Sequence, residues 1–211
     1  MFLNNIRNLC LLTSFYLGTF STSLIYASSV SCGEIKSEYT GREGKNYVFT
    51  AEQKCTLKKE VLINYEKIEK VFIKSLQDDR SYEKIEVEEN SIYQNEPAIH
   101  LDLVQNKNTK HGRMILTGDM HIVYNAKTQS YKNHYITRKI KASGNAANTK
   151  AVEDLIILSK EDDHFSFSAK RTIKVKKPFI APKNLFISEA RKGLKKDLPT
   201  LVSVQLTFIT D

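Results

Sequence analysis

No tryptophan occurs among the 211 residues, and glycine (8), proline (4) and cysteine (3) are scarce. So little glycine and proline excludes a collagen-like or low-complexity chain. Three cysteines are too few for a disulfide-dense miniature scaffold. After the first thirty residues there is no sustained apolar run, which excludes a chain with several membrane-spanning helices. The HExxH, GxSxG, Walker A and CxxC signatures are all missing, so no catalytic constellation announces itself. Acidic residues (24) are outnumbered by basic ones (32), for a formal net charge of +8. What is present is 41% hydrophobic and 27% charged residues, the composition of an ordinary globular domain.

The N-terminus has the layout of an export signal. Arg7 is the only charged side chain of residues 1–27, and Asn8 to Tyr26 is rich in Leu, Phe, Tyr, Ser and Thr. Ile25-Tyr26-Ala27 then offers a small residue at a cleavage position, with Ser28-Ser29 following. The expectation is a signal peptide over 1–27 and an exported protein, periplasmic or secreted. An uncleaved anchor is the first alternative. The second is a lipoprotein acylated at Cys32 in Ser29-Val30-Ser31-Cys32, although the leucine expected three positions earlier is missing. With Cys10 lost in the signal, Cys32 and Cys55 remain as an even pair in an oxidising compartment. A bridge between them competes with acylation of Cys32.

From Tyr47 to Ile63 the odd positions are mostly apolar and the even ones mostly polar, the period of a long half-buried strand. Asn64 can cap a following helix, whose stripe is Ile68, Val71, Phe72 and Leu76. After a break at residues 77–81, short strands are expected around Ile85–Glu89 and Ile99–Leu103, with a loop over Asn90–Pro97. Further strands follow at Met114–Tyr124, Tyr131–Ala142 (polar, near an edge), Val152–Leu158 and Phe165–Val175, joined by short turns. These meanders indicate an antiparallel sheet. Pro178 and Pro182 end it, and a helix begins at Lys183. Over Leu201–Ile209 the pattern fits a helix continuing past Pro199 or an alternating strand; architecture favours the helix. The domain plan is thus a signal (1–27), an N-terminal segment (28–44) and one α+β domain (45–211): an antiparallel β-sheet with a helical insertion after its first strand and a C-terminal helix.

That order, with Cys55–Ile63 running into Asn64–Asp79 and Val175-Lys176-Lys177-Pro178-Phe179 leading into the last helix, resembles the START-like (SRPBCC, polyketide-cyclase-like) helix-grip superfamily across residues 45–208. The resemblance lies in element order, since the family has no short diagnostic motif. It implies an apolar space between the sheet and the last helix that holds a lipid or other hydrophobic molecule, and in some members catalysis.

The inward apolar set names Phe49, Leu116, Met120, Phe165 and Phe167 as ligand-facing candidates. A cavity would arise if Gly118 and Ala169 leave space that larger neighbours do not fill. His100 and Asp102 share one strand face, and Asp119 and His121 another. If those strands are neighbours, four acid–base or metal-binding groups converge; polar residues alternating on a solvated face give the same pattern. Asp162-Asp163-His164 suits a hairpin turn better than a metal site. Basic groups at Lys170, Arg171, Lys174, Lys176 and Lys177, at Arg191, Lys192, Lys195 and Lys196, and at Lys132, Arg138, Lys139 and Lys141 suit an anionic membrane surface, or plain solvation. The expectation is a monomeric binding or carrier protein for a hydrophobic, lipid-like molecule, with no cofactor, no resident metal and no nucleic-acid partner. A solid-core envelope protein and an enzyme using the same cavity are the alternatives.

Overall fold

The computed structural model describes residues 30–57, 62–109, 112–176 and 183–210. The expected signal peptide, residues 58–61 of the expected first strand, His111 and residues 178–182 lie outside the described residues. The strands are β1 (Val30–Cys32), β2 (Lys36–Glu43), β3 (Asn46–Leu57), β4 (Tyr82–Tyr93), β5 (Glu96–Thr109), β6 (Gly112–Asn125), β7 (Ser130–Ala142), β8 (Thr149–Lys160) and β9 (Phe165–Lys176). A π-helical stretch (Lys67–Phe72) leads into α1 (Ile73–Asp78) between β3 and β4, and the long α2 (Lys183–Ile209) follows β9. These strands form one antiparallel sheet in the order β1-β3-β9-β8-β7-β6-β5-β4, with β2 pairing β3 beside β1. This is the α+β helix-grip arrangement: first strand, helical insertion, meander, and a closing helix.

The period-two pattern of β3 and β9 buries one face of each. Tyr47, Phe49, Ala51, Cys55 and Leu57 on β3 and Phe165, Phe167, Ala169, Ile173 and Val175 on β9 are all buried. On α2 the buried positions Ala190, Leu194, Leu198, Leu201, Val202 and Ile209 follow helical spacing, so the helix lays one stripe on that sheet face. The ambiguous C-terminal stretch is therefore helical to Ile209. Pro199 is accommodated inside the helix, exposed to solvent, where its missing N–H removes one ladder bond.

The C-terminal end of α2 also anchors the helical insertion. Ile63 bridges Thr210, Asn64 N–H donates to the Ile209 carbonyl at 3.2 Å, and Lys67 Nζ donates to the Thr210 carbonyl at 2.9 Å. Asn64 caps as its position predicts, its Oδ1 accepting the Lys67 N–H at 2.9 Å. The expected stripe is corrected at one residue: Val71 is 48% exposed and Ile73 is buried in its place. The cause is the π-helical turn. Ile73 N–H bonds the Ile68 carbonyl, five residues back, and the wider turn rotates Val71 out of the stripe.

Three other expectations are revised. Residues 90–97 are strand and hairpin, because Gln94 and Asn95, both at positive φ, supply a two-residue turn with left-handed central residues. β7 lies between β6 and β8 instead of at an edge; several of its polar residues, such as Arg138 and Lys139, are exposed, whereas Asn133 and Thr137 are buried. The space at Gly118 is already taken: a Cβ there would stand 2.6 Å from the Ile136 carbonyl oxygen and 2.9 Å from the Tyr135 ring. Gly118 thus lets β7 approach, and leaves no room for a ligand.

Cys32 and Cys55 stand directly opposite one another on β1 and β3 and form a disulfide. The bridge uses the Sγ of Cys32 that acylation would need, so the two fates of this residue exclude one another. The bridge spans 23 positions of sequence and ties the N-terminal strand to the sheet. Cys32→Ser/Cys55→Ser should lower stability by about 3 kcal/mol on the chain-entropy account. Urea unfolding with and without reductant measures this, and non-reducing peptide mapping should recover the linked pair.

Candidate ligand-binding interior and its polar centre

The face of the sheet under α2 holds every residue expected to face a ligand. Phe49 and Phe167 are 0% exposed, Leu116 and Phe165 are buried, and Met120 is half-buried against the core. The structure spreads them widely. Phe165 and Phe167 sit at one end of β9 opposite Leu57 and Cys55, Phe49 sits towards the other end opposite Ile173, and Leu116 and Met120 lie three strands away on β6.

At the centre of this apolar face is a charged group that the sequence alone places elsewhere. Arg171 belongs by sequence to a basic surface patch, and the structure corrects this: it is 0% exposed, among the inward residues of β9. Its Nε donates to Asp154 Oδ1 at 2.7 Å and its Nη2 to Asp154 Oδ2 at 3.1 Å, a two-pronged pair across β8 and β9. Its Nη1 faces Asp197 Oδ2 of α2 at 3.6 Å. Asp154 and Asp197 are 6% and 4% exposed, so one guanidinium is matched against two buried carboxylates. The same register row continues from Arg171 and Asp154 through Tyr135 on β7, Met120 on β6 and Leu101 on β5. Burial pushes the Tyr135 hydroxyl well above the usual phenol range, with the negative charge of Asp154 adding to it, so it is a neutral hydrogen-bonding group facing the ion pair.

A second polar contact joins helix and sheet. Tyr131 on β7 donates from its hydroxyl to Gln205 Oε1 at 3.2 Å, and Asn133 beside it is buried. Asp197 and Gln205 lie on the same buried stripe of α2, about two helical turns apart. Burial also raises the Tyr131 hydroxyl well above its ordinary value. Arg171 is legible in principle: it falls within the inward alternation Phe165, Phe167, Ala169, Ile173, Val175, and a charge on a buried face implies a partner. Which partner is not legible, because Asp154 lies in what reads as an apolar strand and Asp197 in a basic helix.

His100, Asp102, Asp119 and His121 do lie on adjacent strands, β5 and β6, but on the face away from α2. There they pair with neighbours. His100 Nε2 meets Asp119 Oδ1 at 2.9 Å, Arg138 bonds Asp102 and reaches Asp119 at 3.0 Å, and Lys84 approaches Asp102 at 3.6 Å. The idea that they serve an interior cavity is corrected: period two sends them outward because Ile99, Leu101 and Leu103 point in. Among the described residues no group of His, Cys, Asp or Glu is placed to hold a metal ion. His164 pairs with Asp163 at 2.7 Å in the β8–β9 turn. Of the basic groups, Lys174 faces out and pairs with Glu43 at 2.6 Å, whereas Arg191, Lys192 and Lys195 line an open groove of about 470 Å³ on α2 with Asn184, Ile187 and Ser188.

No family model matches the chain, and no curated protein sequence does. Solved structures similar to it include the human StarD13 lipid transfer and protein localization domain (8% identity, 76% of this chain and 84% of that one, TM-score 0.37). Human STARD10 matches at 8% identity over 78% of this chain and 69% of that one, also at TM-score 0.37. Ara h 8.0201 matches at 14% identity over 74% and 97%, with a TM-score of 0.34. Similarity this remote concerns fold alone; the strand order and the position of α2 are the primary observations, and they give this chain a START-like helix-grip fold.

Proposed function

We propose that the protein binds a hydrophobic, lipid-like molecule between the sheet and α2, and carries or senses it in the cell envelope after export. The observation that carries this reading is the Arg171–Asp154–Asp197 group in the middle of an apolar face. Burying such a group adds little to stability, because the desolvation of three ions offsets most of their attraction. A core that served structure alone gains by filling that position with apolar side chains. A ligand with an apolar body and a polar end gains from an anchored polar centre in the same row as Tyr135 and Met120. The groove lined by Arg191, Lys192 and Lys195 supports a second element of the proposal, contact with an anionic membrane surface during loading or release. The competing reading is a solid-core envelope protein, favoured by the complete burial of Phe49 and Phe167.

Native mass spectrometry of the full-length gene product, purified from the envelope fraction, tests the proposal. The expected result is a mature chain starting near Ser28 with a co-purifying lipid-sized mass that organic extraction removes. A chain that carries no added mass and takes up no lipid from mixed vesicles favours the solid core.

A further inference from the structure

We propose that Tyr93, His100, His121 and His134 form an acid-released latch that holds the end of the β4–β5 hairpin against the outer face of β6 and β7. The proposal is independent of any ligand in the interior. Three of the five histidines lie in one cross-strand row, His100 opposite His121 and His121 opposite His134. Tyr93 joins them because of a bulge. Glu88 pairs with His100 and therefore faces outward; Tyr93, five residues on, would face inward in a regular strand. The register shift between Glu88 and Ser91 inserts one residue and turns Tyr93 to the outer face. Its ring then stacks on His121 at 4.0 Å and 9°, and its hydroxyl meets His134 Nδ1 at 2.6 Å. His100 covers the opposite side of His121 at 4.9 Å and 15°.

His121 is thus closed in between two flat rings, and its buried Nδ1 has no hydrogen-bond partner. The surrounding charges are engaged with one another. On β4, Glu88 lies 3.4 Å from His100, and Lys84 approaches Asp102 of β5. On β6 itself, Asp119 is held by His100 and by Arg138 of β7. Also on β7, Lys132 Nζ lies 5.4 Å from the Tyr93 ring centroid and so competes for its face. On β8, Glu153 accepts from His134 Nε2 at 2.7 Å. Although the His121 ring is half-buried, its Nδ1 is shielded from water, and the nearby described carboxylates Asp119, Glu88 and Glu153 already have partners. Burial chiefly, and the neighbouring His100 and His134, push the His121 imidazole below its ordinary range, with Asp119 pulling the other way.

The sign follows from linkage. The closed state binds this proton more weakly than the open state. The latch is therefore fully effective above the ordinary imidazole range and weakens as pH falls through it, by at most about tenfold in the opening equilibrium per pH unit, until the closed state itself takes up the proton. Hydrogen exchange at the amides of residues 88–98, corrected for intrinsic chemistry, reads this directly. Protection of the hairpin should hold from pH 7.5 down to the ordinary imidazole range and then fall towards pH 5, while that of β3 and β9 does not. His121→Phe keeps an aromatic slab in the stack without a titrating group and should abolish the dependence; His164→Gln, in the β8–β9 turn, should preserve it. Tyr93→Leu removes the lid and should leave the hairpin open and insensitive to pH across the range. Hairpin protection that is constant with pH in the parent overturns the latch, as does an unchanged pH dependence in either His121→Phe or Tyr93→Leu.

Discussion

Phe167→Ala should lower the free energy of unfolding by about 3–5 kcal/mol, the range for deleting a fully buried phenyl ring. Phe167 is 0% exposed on β9, opposite Leu158 and Cys55, and belongs to the core cluster that includes α2. Removing the ring forfeits its transfer free energy and leaves a void that the flanking strands, paired along their length, cannot collapse to fill. Stability alone does not separate a carrier from a solid core, so binding of an apolar fluorescent probe is measured on the same samples. A carrier binds the probe in the parent form, and the variant changes its affinity or emission. A loss of this size in a protein whose parent form binds no probe sinks the carrier proposal and leaves a structural envelope protein.

Arg171→Met should be as damaging, by about 3–5 kcal/mol, for an electrostatic reason. The substitution keeps much of the side-chain volume but strands Asp154 and Asp197 as buried carboxylates without their cation. In the variant their desolvation raises the carboxyl pKa values above those of the unfolded chain. A raised folded-state value means that the penalty is present in full at neutral pH and shrinks as pH falls through it. Urea midpoints at pH 7 and at mildly acidic pH should therefore converge on those of the parent at the acidic end. Arg171→Met/Asp154→Leu/Asp197→Leu, which removes the whole group, should recover most of the stability. If this triple variant also loses ligand binding, the polar centre serves binding; full retention of binding removes the observation on which the proposed function rests. An Arg171→Met deficit that does not depend on pH contradicts the assignment of the two aspartates as its cause.

What the sequence determined by itself is whatever depends on near neighbours along the chain. Period two in residues 47–57 and 165–175 marks two half-buried strands; Asn64 marks a helix start; a helix begins at Lys183, though over Leu201–Ile209 the pattern fits helix or strand alike; an even cysteine pair marks the disulfide. The helix-grip order follows from these in series. Tertiary structure decided everything that depends on which strand lies beside which. Alternation assigns Arg171 to a face but cannot assign it a partner. Asp154 meets it through the β8–β9 register and Asp197 only because α2 crosses the sheet there. The outward turn of His100, Asp102, Asp119 and His121 is local, yet their union with Tyr93 and His134 needed a bulge in β4 and the order β4-β5-β6-β7. The π turn that exposes Val71 is likewise invisible to a 3.6-residue pattern, since it is one residue wider than the template. Side-chain periodicity records orientation relative to the core, whereas register and bulges are chosen by packing between segments far apart in sequence, and the chemistry of both polar clusters is set at that second level.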